Sequence, residues 1–128
     1  MRERAKEWLR FSLDDLEVSR EAAKLGKYNI AAYHLQQAVE KSIKGVIVFI
    51  GKRKNLRTHD ISVLVKMLLE EGVDVPVEVL DAQDLTEYAS TTRYPDDYVP
   101  VSEEEYEEAY EVAVRVYEWA KGIVEDRP

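Results

Sequence analysis

The stretch YNIAAYHLQQAVEKSIKGVIVFI, residues 28–50, decides the fold. Leu35, Val39, Ile43, Val46 and Ile50 recur every three or four residues, which draws one apolar face of an α-helix and leaves no strand alternation. Beside that face runs a second stripe, Ala38, Ser42, Gly45 and Phe49, made mostly of small residues. A neighbouring helix can approach closely along it. At about 1.5 Å per residue the segment measures roughly 35 Å, and Gly51 supplies the residue that ends it.

The flanks read the same way. Residues 3–25 carry Ala5, Leu9, Leu13 and Leu16 on one face, widened by Trp8, Phe11 and Val18, and stop at Gly26. After the loop GKRKNLRTHD, Thr58 or Asp60 can cap a third helix over 61–71 that carries Ile61, Val65 and Leu68 and ends at Gly72. Pro76 suits the first turn of a fourth helix over 77–90. Ser102-x-x-Glu105 is a capping box, with Val101 and Tyr106 placed as a hydrophobic staple. It opens a last helix over 103–124 with the stripe Tyr106, Ala109, Tyr110, Ala113, Val116, Tyr117 and Ala120. The short third and fourth helices together match one long helix in length. The expected fold is therefore all-α, an antiparallel four-helix bundle forming a single domain over 1–128.

Composition removes several classes of function. There is no cysteine, hence no disulfide framework, thiolate metal site or cysteine nucleophile. Two histidines are too few for an all-histidine zinc site, and no His/Asp/Glu spacing resembles a metal centre. No apolar run reaches the ~18 residues that span a bilayer, and MRERAKEW lacks the apolar region of a secretory signal. A cytoplasmic protein without membrane attachment is expected. Scarce Asn and Gln with abundant charge of both signs hint at a thermophilic source. No Gly-rich phosphate loop and no Ser/His/Asp set is present, so no cofactor is read.

Charge is unevenly spread within the net −8. Lys41 to Lys66 holds seven basic side chains against Asp60 alone, a local +6, whereas residues 67–128 hold four basic and eighteen acidic, a local −14. The basic stretch is either a solvated loop pairing with the acidic half or a local anion site. Within and beside it lie the candidate ligand-binding residues. His34, Gln37, Lys41 and Lys44 form a polar stripe on the second helix, either a solvated face or a groove for a partner, with Glu40 and Lys44 as an i,i+4 pair. Arg57 and His59 precede the third helix, where a phosphate could sit beside Lys52, Arg53 and Lys54 if His59 is not simply a local cap. Arg93-Tyr94-Pro95-Asp96-Asp97-Tyr98 combines a fork-shaped donor, two aromatics and two carboxylates in one loop. Arg93 can bind a phosphate while Tyr94 or Tyr98 stacks on a base, or it can pair with Asp96 or Asp97 in an ordered turn.

Together these pieces resemble the HEPN domain family: Trp8 with Asp14-Asp15-Leu16, then Tyr28 and Tyr33, then Gln36-Gln37-x-x-Glu40-Lys41-x-x-Lys44, Thr58-His59, and Thr92-Arg93-Tyr94-Pro95 before the last helix. The resemblance implies an up-and-down four-helix bundle with one additional short helix, usually homodimeric. It also implies partnership with a minimal nucleotidyltransferase, often as a toxin–antitoxin pair. Many members are metal-independent ribonucleases whose signature is an arginine, four to six residues, then a histidine before the last helix. Here no histidine follows Arg93 in range; Tyr98 stands nearest that position. With an unperturbed pKa of about 10, tyrosine is a poor proton acceptor at neutral pH. Arg53 and His59 match the spacing formally, but in the loop between the second and third helices. The Arg-Tyr-Pro variant resembles the branch that accompanies nucleotidyltransferases. The expected function is a non-catalytic, homodimeric nucleotide- or RNA-binding module with no catalytic residue assigned. The alternative is an endoribonuclease using Arg93 with Tyr98 or His59. Aromatic excess on the last helix, Trp119 beside Tyr117, also points to a homodimer.

Overall fold

Every residue of the Leu35–Val46 stripe is sealed from solvent, and the rest of the molecule is arranged around it. The computed structural model describes residues 2–52, 56–89 and 99–126. Its helices are α1 (Arg2–Lys24), α2 (Tyr28–Phe49), α3 (Ile61–Glu70), α4 (Val77–Asp81), a 3-10 helix (Ala82–Ala89) that continues α4, and α5 (Glu103–Asp126). Gly26, Gly51 and Gly72 follow α1, α2 and α3 with positive φ, and the backbone amides after each turn return to the carbonyls of the helix just ended.

The small stripe on α2 does what its residue sizes allow. A Cβ added to Gly45 would lie 3.3 Å from both the Ala5 carbonyl oxygen and the Trp8 Cβ, so α1 crosses there almost backbone to backbone. Farther along, the Ser12 hydroxyl donates to the Ala38 carbonyl at 2.7 Å and meets the Ser42 hydroxyl, also at 2.7 Å. Ser19 donates to the Ala31 carbonyl at 2.8 Å and meets the Tyr106 hydroxyl at 3.1 Å. The buried face of α1 is thus Ala5, Leu9, Ser12, Leu16 and Ser19. Leu13, Phe11 and Val18, expected on that face, are exposed. The reason is steric: serines that bond the facing backbone permit a separation that larger side chains would prevent.

α5 lies antiparallel to α1. Arg20 grips both Glu107 oxygens at 3.0 and 3.1 Å, and its guanidinium stacks 3.7 Å from the Tyr110 ring centre. Burial acts against the Arg20 charge, but the bond to Glu107 and the neighbouring Tyr106 more than offset it, so its pKa is raised. Burial likewise pushes the Tyr106 phenol upward. The capping box forms as expected, with reciprocal Ser102–Glu105 bonds of 3.0 Å. Asp60 caps α3 through the Ser62 amide at 2.9 Å.

The third and fourth helices do not stack end to end. α3 begins beside Gln36 and ends beside Ile50 and Lys52, so it runs in the direction of α2. α4 and the 3-10 helix then return, bringing the Thr86 hydroxyl to the Ile61 amide at 3.1 Å. The returning segment, with α1, α2 and α5, makes the four-helix bundle, and α3 is the additional short helix. Of the described part of the expected 77–90 helix, 77–81 is α and 82–89 is 3-10. Val79, Ala82, Leu85 and Tyr88 recur every third residue and all turn inwards, a spacing that suits three residues per turn.

Candidate functional site

On α2 the spacings of three and four residues among His34, Gln37, Lys41 and Lys44 put these side chains on one side of the helix, but the neighbours of α2 divide them into two clusters. Toward α1, Asp15 accepts from the Lys41 ammonium at 2.6 Å and meets His34 Nδ1 at 2.9 Å. Asp15 lies in register with Ser12 and Ser19, so the close helix crossing that seats the serines also drives its carboxylate against α2. Lys41 and His34 each keep about a quarter of their side chains in water, 25% and 26%.

Toward α3 lies the second cluster. Glu40 is almost wholly buried and binds Lys44, which is also buried, at 2.7 Å. The Lys44 ammonium stands 5.7 Å from the Trp8 ring centre. Gln36 Nε2 donates to Glu40 at 3.1 Å and to the His59 carbonyl at 3.2 Å, while its own oxygen accepts from Gln37 at 2.7 Å. His59 Nδ1 meets the two Glu40 oxygens at 3.0 and 3.1 Å, and 68% of the His59 side chain is open to solvent. No buried polar side-chain atom among the described residues lacks a partner.

Chemically, each carboxylate receives one lysine and one imidazole. An ionised carboxylate accepts Nδ1–H, which leaves the lone pair of a neutral ring on Nε2. At His59 that nitrogen belongs to a largely exposed ring anchored through Nδ1 to Glu40. Arg57 is exposed two residues earlier. Lys52 engages Glu71 at 3.5 Å.

Of the residues singled out in the sequence, the structure gathers His34, Gln37, Lys41, Lys44 and His59 along α2, but it turns Lys44 inwards. Arg53, Arg93, Tyr94, Asp97 and Tyr98 lie outside the described residues. The stretch holding the last four leaves the described chain at Ala89, beyond the Thr86–Ile61 bond. It re-enters at Val99, whose carbonyl accepts from Asn29 at 2.7 Å at the start of α2. Asp15 is an organising group that residue-by-residue reading passed over, and Glu40, read there only as the i,i+4 partner of Lys44, is the other. A carboxylate in register with core-facing serines was the available signal for Asp15. Among the described residues, no three His, Asp or Glu side chains gather to hold a metal ion, and no helix is long and apolar enough to cross a membrane.

Comparison with known proteins places this arrangement. The crystal structure of TT1696 from Thermus thermophilus is 30% identical, with 94% of this chain and 98% of that one covered at a TM-score of 0.83. The structure of ST0689, an archaeal HEPN homologue, is also 30% identical over the same shares, at a TM-score of 0.75. No curated protein matches. The sequence from residue 5 to residue 123 matches the HEPN domain, and with both structural relatives covered almost end to end, this chain belongs to the HEPN domain family.

Proposed function

We propose that this HEPN protein is a non-catalytic homodimer that binds a nucleotide or RNA along the polar side of α2 and acts with a minimal nucleotidyltransferase, as one half of a toxin–antitoxin pair. The observation that carries the binding reading is the Asp15–His34–Lys41 cluster, whose histidine and lysine are each a quarter open, with exposed His59 against the other flank of α2 and exposed Arg57 two residues before it. These groups belong to an acidic protein whose excess positive charge is confined to Lys41–Lys66. A phosphate can displace Asp15 from Lys41 and gain a charge-assisted bond there, while a second phosphate of the same RNA meets Arg57 on the other flank. The loop holding Arg93, Tyr94, Asp97 and Tyr98, whose described flanks reach the α3 and Asn29 ends of this face, supplies stacking and a further guanidinium in this reading. The Arg-Tyr-Pro sequence is what connects the chain to the nucleotidyltransferase-associated branch.

The homodimer reading rests on the groove between α1 and α5. Leu13, Leu16, Tyr110, Val114 and Tyr117 line it around Arg20. Light scattering is expected to give about twice the 14.8 kDa chain mass.

Binding is tested with fluorescent single-stranded RNA and with ATP across a salt series. The expected outcome is affinity that falls with salt, falls at least about fivefold in Lys41→Ala/Arg57→Ala, and comes with no cleavage. Salt-independent binding, or none, removes the reading. Co-purification with the product of an adjacent nucleotidyltransferase reading frame tests the partnership. One observation favours the endoribonuclease alternative: Glu40 holds His59 in the orientation that a general base requires. Metal-independent turnover lost in His59→Ala establishes that alternative; turnover lost in Arg93→Ala or Tyr98→Phe establishes the Arg93–Tyr98 site.

A further inference from the structure

The end of the bundle away from Asn29 holds a hollow of about 630 Å³ whose walls include Val46, Phe49, Asp74, Trp119, Gly122 and Ile123. It exists because the turn from α3 to α4 passes over the ends of α2 and α5 without filling the space between them. Val46 is the sealed floor, while Phe49, Trp119 and Ile123 are only half covered. Tyr117 and Trp119 are two residues apart, roughly 200° around a helix. They therefore open on different grooves, and the hollow shares no lining residue with the α1–α5 face assigned to the homodimer.

Gly122 is the telling wall. The chain has five glycines. Gly26, Gly51 and Gly72 are required by positive φ, and Gly45 by the contact with α1. Gly122 has neither reason. It sits within α5, and a Cβ there would meet nothing within 4 Å. A glycine inside a helix costs stability relative to alanine, and packing within this chain does not call for it. What its missing side chain does is open the wall and let a guest approach the backbone.

The field at this end selects the sign of the guest. α2, α3 and α5 run in one direction, so three helix C-termini converge here against the single N-terminus of α1, and none of the three has a basic residue in its last turn. Such ends favour cations. Asp74, a solvent-exposed carboxylate, stands on the wall. Of the cations at this end, Lys52 is engaged with Glu71, Arg2 lies 5.7 Å over the Phe49 ring, and Lys121, beside Gly122, is exposed to water. The volume falls in the range of small-ligand sites.

We propose that this hollow binds a small organic cation with an apolar body, an alkyl or aryl ammonium. The body lies against Phe49, Ile123 and the open backbone at Gly122, and the head lies between Asp74 and the Trp119 ring, where a cation–π contact adds to the carboxylate.

The test is an NMR titration of the ¹⁵N-labelled full chain with hexyltrimethylammonium and, separately, hexanesulfonate. Trp119→Phe assigns the indole signals, and Trp8 serves as the internal control. Saturable shifts of the Trp119 indole and the Gly122 amide are expected with the cation while the Trp8 indole stays still. The sulfonate should bind at least about tenfold more weakly, the scale of one charge-assisted contact. Asp74→Asn should weaken the cation about five- to tenfold and leave the sulfonate unchanged. Gly122→Leu should abolish binding without lowering the melting temperature. Equal binding of both probes, or no saturation, overturns the proposal. Signals at Trp119 and Gly122 that vary with protein concentration alone, and stop doing so in Gly122→Leu together with a fall in mass, also overturn it and assign the hollow to a second copy.

Discussion

Asp15 and Glu40 hold the same pair of partner types, one lysine ammonium and one histidine Nδ1, on opposite flanks of α2, yet their surroundings give them different work. At Asp15 the carboxylate is 12% exposed and both partners reach water. At Glu40 the carboxylate and its lysine are 3% and 4% exposed, and the histidine alone looks out. Desolvation decides the difference. A lysine a quarter open can exchange its carboxylate for an incoming anion at small cost. A buried lysine cannot leave its counter-ion without leaving a charge unpaired in the core. The first cluster is therefore the adaptable one, and the second is a fixed base from which a single imidazole projects.

Removing the Glu40 charge probes that contrast hardest. Glu40→Gln keeps the shape but strands the Lys44 ammonium. It is expected to lower unfolding free energy by about 3–5 kcal/mol, read from urea denaturation. Adding Lys44→Met should restore most of that loss, because an apolar side chain against Trp8 needs no counter-ion. A loss under about 1 kcal/mol in the single variant would place Lys44 within reach of water and erase the distinction between the clusters.

Asp15→Asn is the matching change on the other flank. The amide oxygen can still accept one bond, and the released groups are solvated, so a loss of about 1 kcal/mol is expected. Function should move in the opposite direction. With one negative charge gone beside Lys41, affinity for single-stranded RNA should rise several-fold at low salt and return toward wild type at high salt. A fall in affinity would mean that Asp15 positions Lys41 and His34 for the ligand instead of competing with it.

How far the sequence carried depended on whether side-chain size or partner choice was at issue. The α2 stripe, its small-residue neighbour and the Ser102–Glu105 cap were legible because periodicity and residue volume settle them locally. The α1 face was not legible at Leu13, Phe11 and Val18. A serine that bonds a facing carbonyl is core in three dimensions but polar in one. The return of α4 against α3 was hidden for a related reason: lengths say how much helix there is, not which way a ten-residue helix points. His59 was legible as a residue of interest, but its anchoring was not. Glu40 is nineteen positions away, and its pairing with Lys44 along α2 already accounted for it.

His59→Ala should have the smallest effect on stability and bears most directly on what the fixed cluster is for. The side chain is largely in solvent. Without it, Glu40 keeps Lys44 at 2.7 Å and Gln36 at 3.1 Å, and the backbone carbonyl that Gln36 reaches is unchanged. The melting curve should therefore stay within about 0.5 kcal/mol of wild type. If the imidazole exists only to finish the Glu40 network, RNA and nucleotide binding should also be unchanged. If Glu40 exists to aim the imidazole, binding or turnover must fall in a protein that remains equally stable, and His59→Gln, which can still donate to Glu40 but carries no ring nitrogen lone pair, must fail to restore turnover. Measuring melting and binding on both variants separates the two. A stability loss of several kcal/mol would instead make His59 a structural member of the core cluster despite its exposure, and would remove the contrast between the two flanks of α2.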